Sequence, residues 1–252
     1  MIGIVKKKAK TFGLIGRNIS YSFSAKYFAE KFAKLGVDYT YQNFDISSIK
    51  DLRSITDDTK KIKGLNVTIP YKEEVIPMLD SLSKTAKVIG AVNTITVSKK
   101  GKLKGYNTDH YGFKKALKPL IKKKIHKRAL ILGTGGASKA VAYALRKMKI
   151  EYDFVSRTAT DVIFSYNCLD REIFDDYQII INTTPLGTFP NIEEHPPIDY
   201  SLFTPNHIAF DLIYNPEETY FLRKAKENGA TIINGYKMLV YQAEKAWEIW
   251  NR

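Results

Sequence analysis

The chain has 252 residues, 44% of them hydrophobic and 26% charged, with a formal net charge of +14. This is the composition of an ordinary soluble globular protein, long enough for two modest domains. No apolar run approaches the roughly 18 residues of a membrane span. A single cysteine, Cys168, excludes an internal disulfide framework, and the four histidines offer no zinc-ligand spacing. A cytoplasmic protein without a structural metal is the economical expectation. The basic runs are Lys6-Lys7-Lys8, Lys99-Lys100-Gly101-Lys102-Leu103-Lys104 and Lys114 to Arg128. They are scattered rather than gathered into one aromatic-interleaved stripe, so an anionic small molecule suits them better than nucleic acid.

In chain order, short strand-like runs alternate with helical ones, which is the pattern of an α/β protein. Thr11 to Ile15 is the first expected strand, and a helix follows from about Ala25 to Leu35. Between them stands Ser20-Tyr21-Ser22-Phe23-Ser24. Ser24 is placed to cap the helix. Capping does not account for the other serines, and hydroxyls two residues apart share one side of an extended segment, as a bound carboxylate or polyol requires.

Asp38 to Phe44 is a second expected strand and Leu65 to Ile69 a third. The third lies in Gly64-Leu65-Asn66-Val67-Thr68-Ile69-Pro70-Tyr71-Lys72-Glu73-Glu74. Side-chain alternation puts Asn66 and Thr68 on one face, and Pro70 removes a ladder donor and tends to end the strand. Lys72 is therefore expected at the strand exit beside two hydrogen-bonding groups. A lysine in that setting can give and take a proton; the bland alternative is a surface lysine opening a helix. Gly90 to Val97 and Leu103 to Asn107 read as a hairpin, with Asn93 in its first arm and Asp109 just past its second. Asp109 suits either a site carboxylate or a helix cap.

From Arg128 the texture changes. Arg128 to Leu132 is a buried-strand run, followed by Gly133-Thr134-Gly135-Gly136-Ala137-Ser138 and a helix to about Met148. Glycines between a strand and a helix are the setting of a dinucleotide fingerprint: Gly133 permits the turn, Gly135 lets backbone amides approach a pyrophosphate, and the helix offers its positive end. Ser138 holds the sixth place, where glycine or alanine is usual. Tyr152 to Ser156, Gln178 to Asn182, His207 to Asp211 and Ala230 to Ile233 continue as strands of a parallel sheet. Asp153 lies near the start of its strand, whereas Ser156-Arg157-Thr158 ends it. An arginine with two hydroxyls at that tip suits the 2′-phosphate of NADP rather than the ribose of NAD. Lys237 to Trp250 is expected as a helix with an apolar stripe, on which spacing alone leaves Gln242 and Glu244 solvated.

Taken together, Ser22-Phe23-Ser24, Asn66 to Glu73, Gly90 to Thr94, Asn107-Thr108-Asp109, Gly133 to Ser138, Ser156 to Thr158, Asn182 to Gly187, Asp211 to Pro216 and Asn234 to Ala243 resemble shikimate dehydrogenases in the same order. The resemblance runs from Gly13 to Trp250. It implies NADPH-dependent reduction of 3-dehydroshikimate to shikimate, on the route to chorismate and the aromatic amino acids, without a metal. It implies a discontinuous substrate domain, residues 1–111 and 236–252, a Rossmann-type parallel-sheet NADP domain, residues 112–235, and a C-terminal helix returning to the substrate domain.

Carried over by position, Lys72 resembles the general acid–base and Asp109 its partner. Ser22 and Ser24 resemble the pair that holds the substrate carboxylate, and Thr68, Asn93, Asp109, Tyr214 and Gln242 the groups that hold the ring hydroxyls. Gly133, Thr134, Gly135, Gly136 and Ala137 resemble the pyrophosphate loop, Ser156, Arg157 and Thr158 the 2′-phosphate site, and Leu212 and Gly235 the backbone contacts around the nicotinamide. The family usually has His where Tyr21 stands, Pro where Asn18 and Ala25 stand, and Met where Thr188 stands. A second basic residue after Thr158 is missing. A quinate/shikimate dehydrogenase using NAD or NADP is the near alternative, and a non-catalytic basic nucleotide-binding protein the remote one. The expected partner is a small molecule, with neither nucleic acid nor membrane; monomer and homodimer stay open.

Overall fold

Lys10 to Gly16, six of whose residues are buried, forms the first strand, β1 (Lys10–Gly16). The computed structural model describes residues 9–19, 22–58, 62–160 and 163–252. Lys6-Lys7-Lys8, Ser20 and Tyr21 lie outside the described residues. The chain divides into two compact units, Met1–Thr108 with Ala243–Arg252, and Asp109–Gln242.

In the first unit β1 leads to α1 (Phe23–Leu35), β2 (Tyr39–Asp45), α2 (Leu52–Asp58) and β3 (Ile62–Val67). There follow β4 (Ser81–Leu82), α3 (Lys84–Ile89), β5 (Thr94–Val97) and β6 (Leu103–Tyr106). The strands make one sheet in the order β2-β1-β3-β5-β6-β4. β1 runs parallel to both β2 and β3, while β3, β5 and β6 alternate in direction. Alternation along the strands gives each face its own core. Ile15, Leu65, Val67 and Tyr71 join Leu52, Val75 and Ile95 in one cluster. Phe12 joins Phe28, Phe32, Ala243, Ala246 and Trp250 in the other.

The second unit begins with α4 (Asp109–Leu117) and continues with β7 (Arg128–Leu132), α5 (Gly136–Met148), β8 (Glu151–Ser156), β9 (Ile163–Ser165) and α6 (Arg171–Asp176). It is completed by β10 (Ile179–Asn182), β11 (Ile208–Asp211), α7 (Tyr220–Glu227), β12 (Thr231–Ile233) and the first half of α8 (Tyr236–Trp250). Its six strands are all parallel, in the order β12-β11-β10-β7-β8-β9. Numbered within the unit, this is the doubly wound 3-2-1-4-5-6 arrangement of a Rossmann fold. Helices cover both faces, so the strands read as continuous apolar runs. Ala129, Ile131, Ile179, Ile181 and Phe210 enter one core, and Leu130, Leu132, Ile180 and Ala209 the other.

Several sequence expectations need correction. The third strand stops at Val67, and Ile69-Pro70 belongs to the turn that follows. α1 begins at Phe23, so Ser22 is its N-cap and Ser24 sits inside its first turn; Ser24 is not the cap, and the two serines do not share an extended segment. Gly90 ends α3 rather than opening a strand. α2, α3, α6, α7, β4 and β9 were not anticipated.

Candidate active site

In the first unit, the strand exits bring three of the sequence-selected residues, Thr68, Lys72 and Asn93, to one neighbourhood. Thr68 follows β3, and its backbone amide donates to Ile15 O while Tyr71 N closes a turn on Thr68 O, both at 2.9 Å. That turn carries Lys72, which is half-buried, between two fixed points. Val92 N donates to Lys72 O at 2.7 Å, and the preceding Tyr71 is fully buried. The Tyr71 hydroxyl donates to Ile46 O at 2.6 Å and accepts from Arg17 Nε and Nη2 at 3.3 and 3.2 Å. The Arg17 guanidinium lies over the same ring and donates to Ser47 O at 2.6 Å.

Asn93 stands opposite the end of β3, since Val67 N donates to Asn93 O at 2.9 Å. Its carboxamide is oriented by Thr108, whose backbone amide donates to Oδ1 at 2.6 Å and whose hydroxyl accepts from Nδ2 at 3.0 Å. Asn66 Nδ2 donates to Asn93 O at 3.1 Å, and Asn66 Oδ1 accepts from the Tyr41 hydroxyl at 2.8 Å. Tyr41 is also hydrogen-bonded to Ser24 on α1, and its burial drives the phenol far above its usual range, so it stays protonated. This network links the serine helix to the exits that carry Thr68, Lys72 and Asn93. Tyr41 lies in no sequence motif, and Thr108, although part of Asn107-Thr108-Asp109, was given no role; only the pairing of strands reveals what either holds.

Ser22 Oγ is buried and has no hydrogen-bond partner among the described residues. A buried hydroxyl left unpaired costs about 1–3 kcal/mol, and such an atom needs an explanation. An ionised carboxylate accepts hydrogen bonds only, and a hydroxyl supplies the donor it needs.

In the second unit, the parallel strands all present their carboxyl ends to one edge. Gly133 after β7 has a φ of 101°, a left-handed value, and a Cβ there would lie 3.0 Å from Thr183 and Thr184. Gly135 caps α5, and a Cβ built on it meets nothing within 4 Å. The open space above an exposed helix start fits a pyrophosphate approaching backbone amides. Ser138 donates to Gly135 O at 2.6 Å, so the serine at the sixth position closes the turn on itself. Ser156, Arg157 and Thr158 leave β8 next door, with Arg157 and Thr158 exposed. Asp153 is occupied elsewhere, accepting from Tyr177 at 2.5 Å and facing Arg128 at 3.7 Å.

Leu212 and Tyr214 follow β11. Gly235 lies so close to Leu212 that a Cβ would stand 2.0 Å from its O. Asp109, 5% exposed, is the first residue of α4, one position inside the helix rather than its cap. Gln242 is 7% exposed, so its solvated reading is wrong, whereas the Glu244 side chain is 41% exposed and pairs with Lys31 at 2.8 Å from the surface. Tertiary packing buries Gln242: α4 approaches α8 at Gly112, where a Cβ would be 2.4 Å from Met238 O and 3.1 Å from Gln242 Cβ.

Comparison with known proteins decides the family. Residues 14–95 match the shikimate dehydrogenase substrate binding domain. The shikimate dehydrogenase (NADP(+)) of Methanococcus aeolicus is 36% identical, with 98% of this chain and 94% of that protein aligned. The chain belongs to the shikimate dehydrogenase family. Among solved members, shikimate dehydrogenase from Aquifex aeolicus superposes with a TM-score of 0.86 at 37% identity, covering 100% of this chain and 94% of that one. The Thermus thermophilus family member, solved in complex with NADP(H) and shikimate, gives 0.83 at 31% identity, over 96% and 93% of the two chains.

One departure from the usual family sequence has a visible cause. Asn18 adopts a φ of 57° and its backbone amide donates to Asp45 at 2.9 Å. Proline could neither reach that φ nor supply that proton. Asp45 takes the next amide too, from Ile19 at 3.2 Å, and so holds the loop before the serines.

Proposed function

We propose that this chain reduces 3-dehydroshikimate to shikimate with NADPH, and that Lys72 is the general acid–base of the reaction. Family membership across both units is the observation that carries the reading. Gly133, Thr134, Gly135, Gly136 and Ala137 would hold the pyrophosphate at the start of α5. Ser156, Arg157 and Thr158 would hold the 2′-phosphate, where a cationic guanidinium and two hydroxyls meet an anion with charge-assisted bonds. Leu212 and Gly235 would border the nicotinamide. When bound, the reduced nicotinamide supplies the hydride that the ring carbonyl carbon accepts.

Ser22 and Ser24 hold the substrate carboxylate, the unpartnered Ser22 hydroxyl gaining in the complex the acceptor that it otherwise lacks. Thr68, Asn93, Tyr214 and Gln242 hold ring hydroxyls, with Asn93 preset by Thr108. The Lys72 ammonium gives a proton from Nζ to the carbonyl oxygen as its charge develops, and takes it back in the reverse reaction. Asp109 orients the reacting groups as the carboxylate partner of that ammonium. Acid–base catalysis of this kind contributes about 10²–10⁴-fold. A small-molecule partner and a cytoplasmic setting accompany this reading; among the described residues no helix is long and apolar enough to cross a membrane.

Steady-state rates with shikimate and quinate, each with NADP⁺ and NAD⁺, test the proposal. Shikimate with NADP⁺ is expected to give the highest kcat/KM of the four. Higher turnover of quinate with NAD⁺ would replace this reading by a quinate dehydrogenase, and the absence of turnover in all four would reject catalysis on these substrates.

A further inference from the structure

Asp211 is fully buried at the end of β11, and no role in the proposed chemistry has been given to it. Its carboxylate gathers donors from three neighbouring segments. Oδ1 accepts from Asn182 Nδ2 at 3.1 Å and from Ile213 N at 3.0 Å, and Oδ2 accepts from the Thr219 hydroxyl at 2.7 Å. Asn182 ends β10, the strand registered against β11, and its own Oδ1 accepts from Thr184 N at 3.0 Å and Thr184 Oγ1 at 2.6 Å. Thr219 caps α7, accepting from Leu222 N. Ile213 in turn accepts from Gly235 N at 2.8 Å, the glycine that fits against Leu212 O.

We propose that Asp211 is a positioning residue for hydride transfer, which fixes Leu212 and Gly235 at the nicotinamide end of the cofactor through Ile213, Asn182 and Thr219. The inference rests on the dehydrogenase reading above. Burial raises the carboxyl to about 6 even against three donors, so its ionised form is held at a cost. A charge retained in such a place is explained by what its hydrogen bonds hold. Both residues it governs were assigned backbone contacts, and backbone is placed by hydrogen bonds of this kind rather than by side-chain packing. Misplacement of a reacting group by about 1 Å costs up to roughly 10²-fold in rate.

The test compares wild type, Asp211→Ala, Asp211→Asn and Thr219→Val in shikimate oxidation with NADP⁺, using shikimate deuterated at the carbon that loses hydride. Wild-type turnover judges the dehydrogenase reading by itself; the variants judge Asp211. The expected result for Asp211→Ala is a kcat lower by about tenfold or more, a shikimate KM within about twofold, and a larger deuterium isotope effect on kcat. Asp211→Asn keeps an acceptor for Ile213 and Asn182 and should recover most of the loss. Thr219→Val, which leaves the carboxylate in place, should fall between. A merely structural role would lower the active fraction and leave the isotope effect unchanged. That result, or wild-type kcat in Asp211→Ala, overturns the proposal. If Asp211→Ala fails to fold, the isotope effect in Thr219→Val decides: an increase supports the proposal, and a wild-type value rejects it.

Discussion

Tyr71→Phe is the substitution that best isolates how the fold holds Lys72. The ring stays buried, Arg17 keeps its bond to Ser47 O, and a cation can still lie over the phenyl face. What disappears is one hydroxyl, which donates to Ile46 O at 2.6 Å and accepts from two nitrogens of Arg17. Arg17 is exposed, so water replaces its lost acceptor. Ile46 O loses its donor on the less accessible side of the pair. Ile46 is half-buried, so the expected cost is that of an ordinary intramolecular hydrogen bond, about 0.5–1.5 kcal/mol. Both tryptophans of the chain, Trp247 and Trp250, belong to the N-terminal unit, so urea unfolding followed by tryptophan fluorescence reports that unit alone. Loosening the turn should also lower kcat several-fold while the KM for NADP⁺ is unchanged, since the cofactor residues belong to the other unit. An unfolding free energy within about 0.5 kcal/mol of wild type, the scatter of neutral surface changes, together with unchanged kcat, would refute the argument that this hydroxyl pins the turn.

Lys72→Ala should lower kcat by about 10²–10⁴-fold with a much smaller change in shikimate KM; near-normal turnover would remove Lys72 from the chemistry. Arg157→Ala should raise the KM for NADP⁺ and leave that for NAD⁺ unchanged, and equal effects on both would remove Arg157 from the 2′-phosphate site. His126 and His207 give the second unit an acid-sensitive side. Burial is the main cause that lowers both below the ordinary value of 6.5, and each ring accepts a backbone N–H on Nδ1, from Lys122 and Thr204. The unfolded chain therefore takes up these protons first. Their stabilising contribution is complete above about pH 6.5 and lost as pH falls below it through the lower folded values. Denaturation followed by far-UV circular dichroism should show this slope in wild type and a shallower one in His207→Gln.

Much of the second unit was legible because its information is local. Arg128 to Leu132 is apolar along its whole length since the strand is covered on both faces, and the glycines after it mark the turn without help from the rest of the chain. The exit of β3 was legible for a similar reason, with Pro70 and the alternating Asn66 and Thr68 close together. α2 and α3 span 7 and 6 residues, too few turns to establish a helical period. β9, 3 residues long, is too short to show alternation. Gln242 was misjudged because its burial is imposed by α4 through the absent side chain of Gly112, a fact about two helices far apart in sequence. The Tyr41 and Asp211 networks were hidden for the same reason. Each hydrogen bond in them joins segments whose adjacency exists only after the strands have paired.

The division of α8 between the two units has a consequence for biosynthesis on the ribosome. Residues 109–242 form a continuous stretch that contains every strand of its own sheet, and it is fully synthesised before the last ten residues appear. The first unit is made earlier but waits for them, because Ala243, Ala246 and Trp250 complete the cluster around Phe12, Phe28 and Phe32. Domains fold as units while the chain emerges, ordinarily from the N-terminus. Here the N-terminal unit, with Lys72 in it, is the one whose core needs residues made after the whole of the inserted unit.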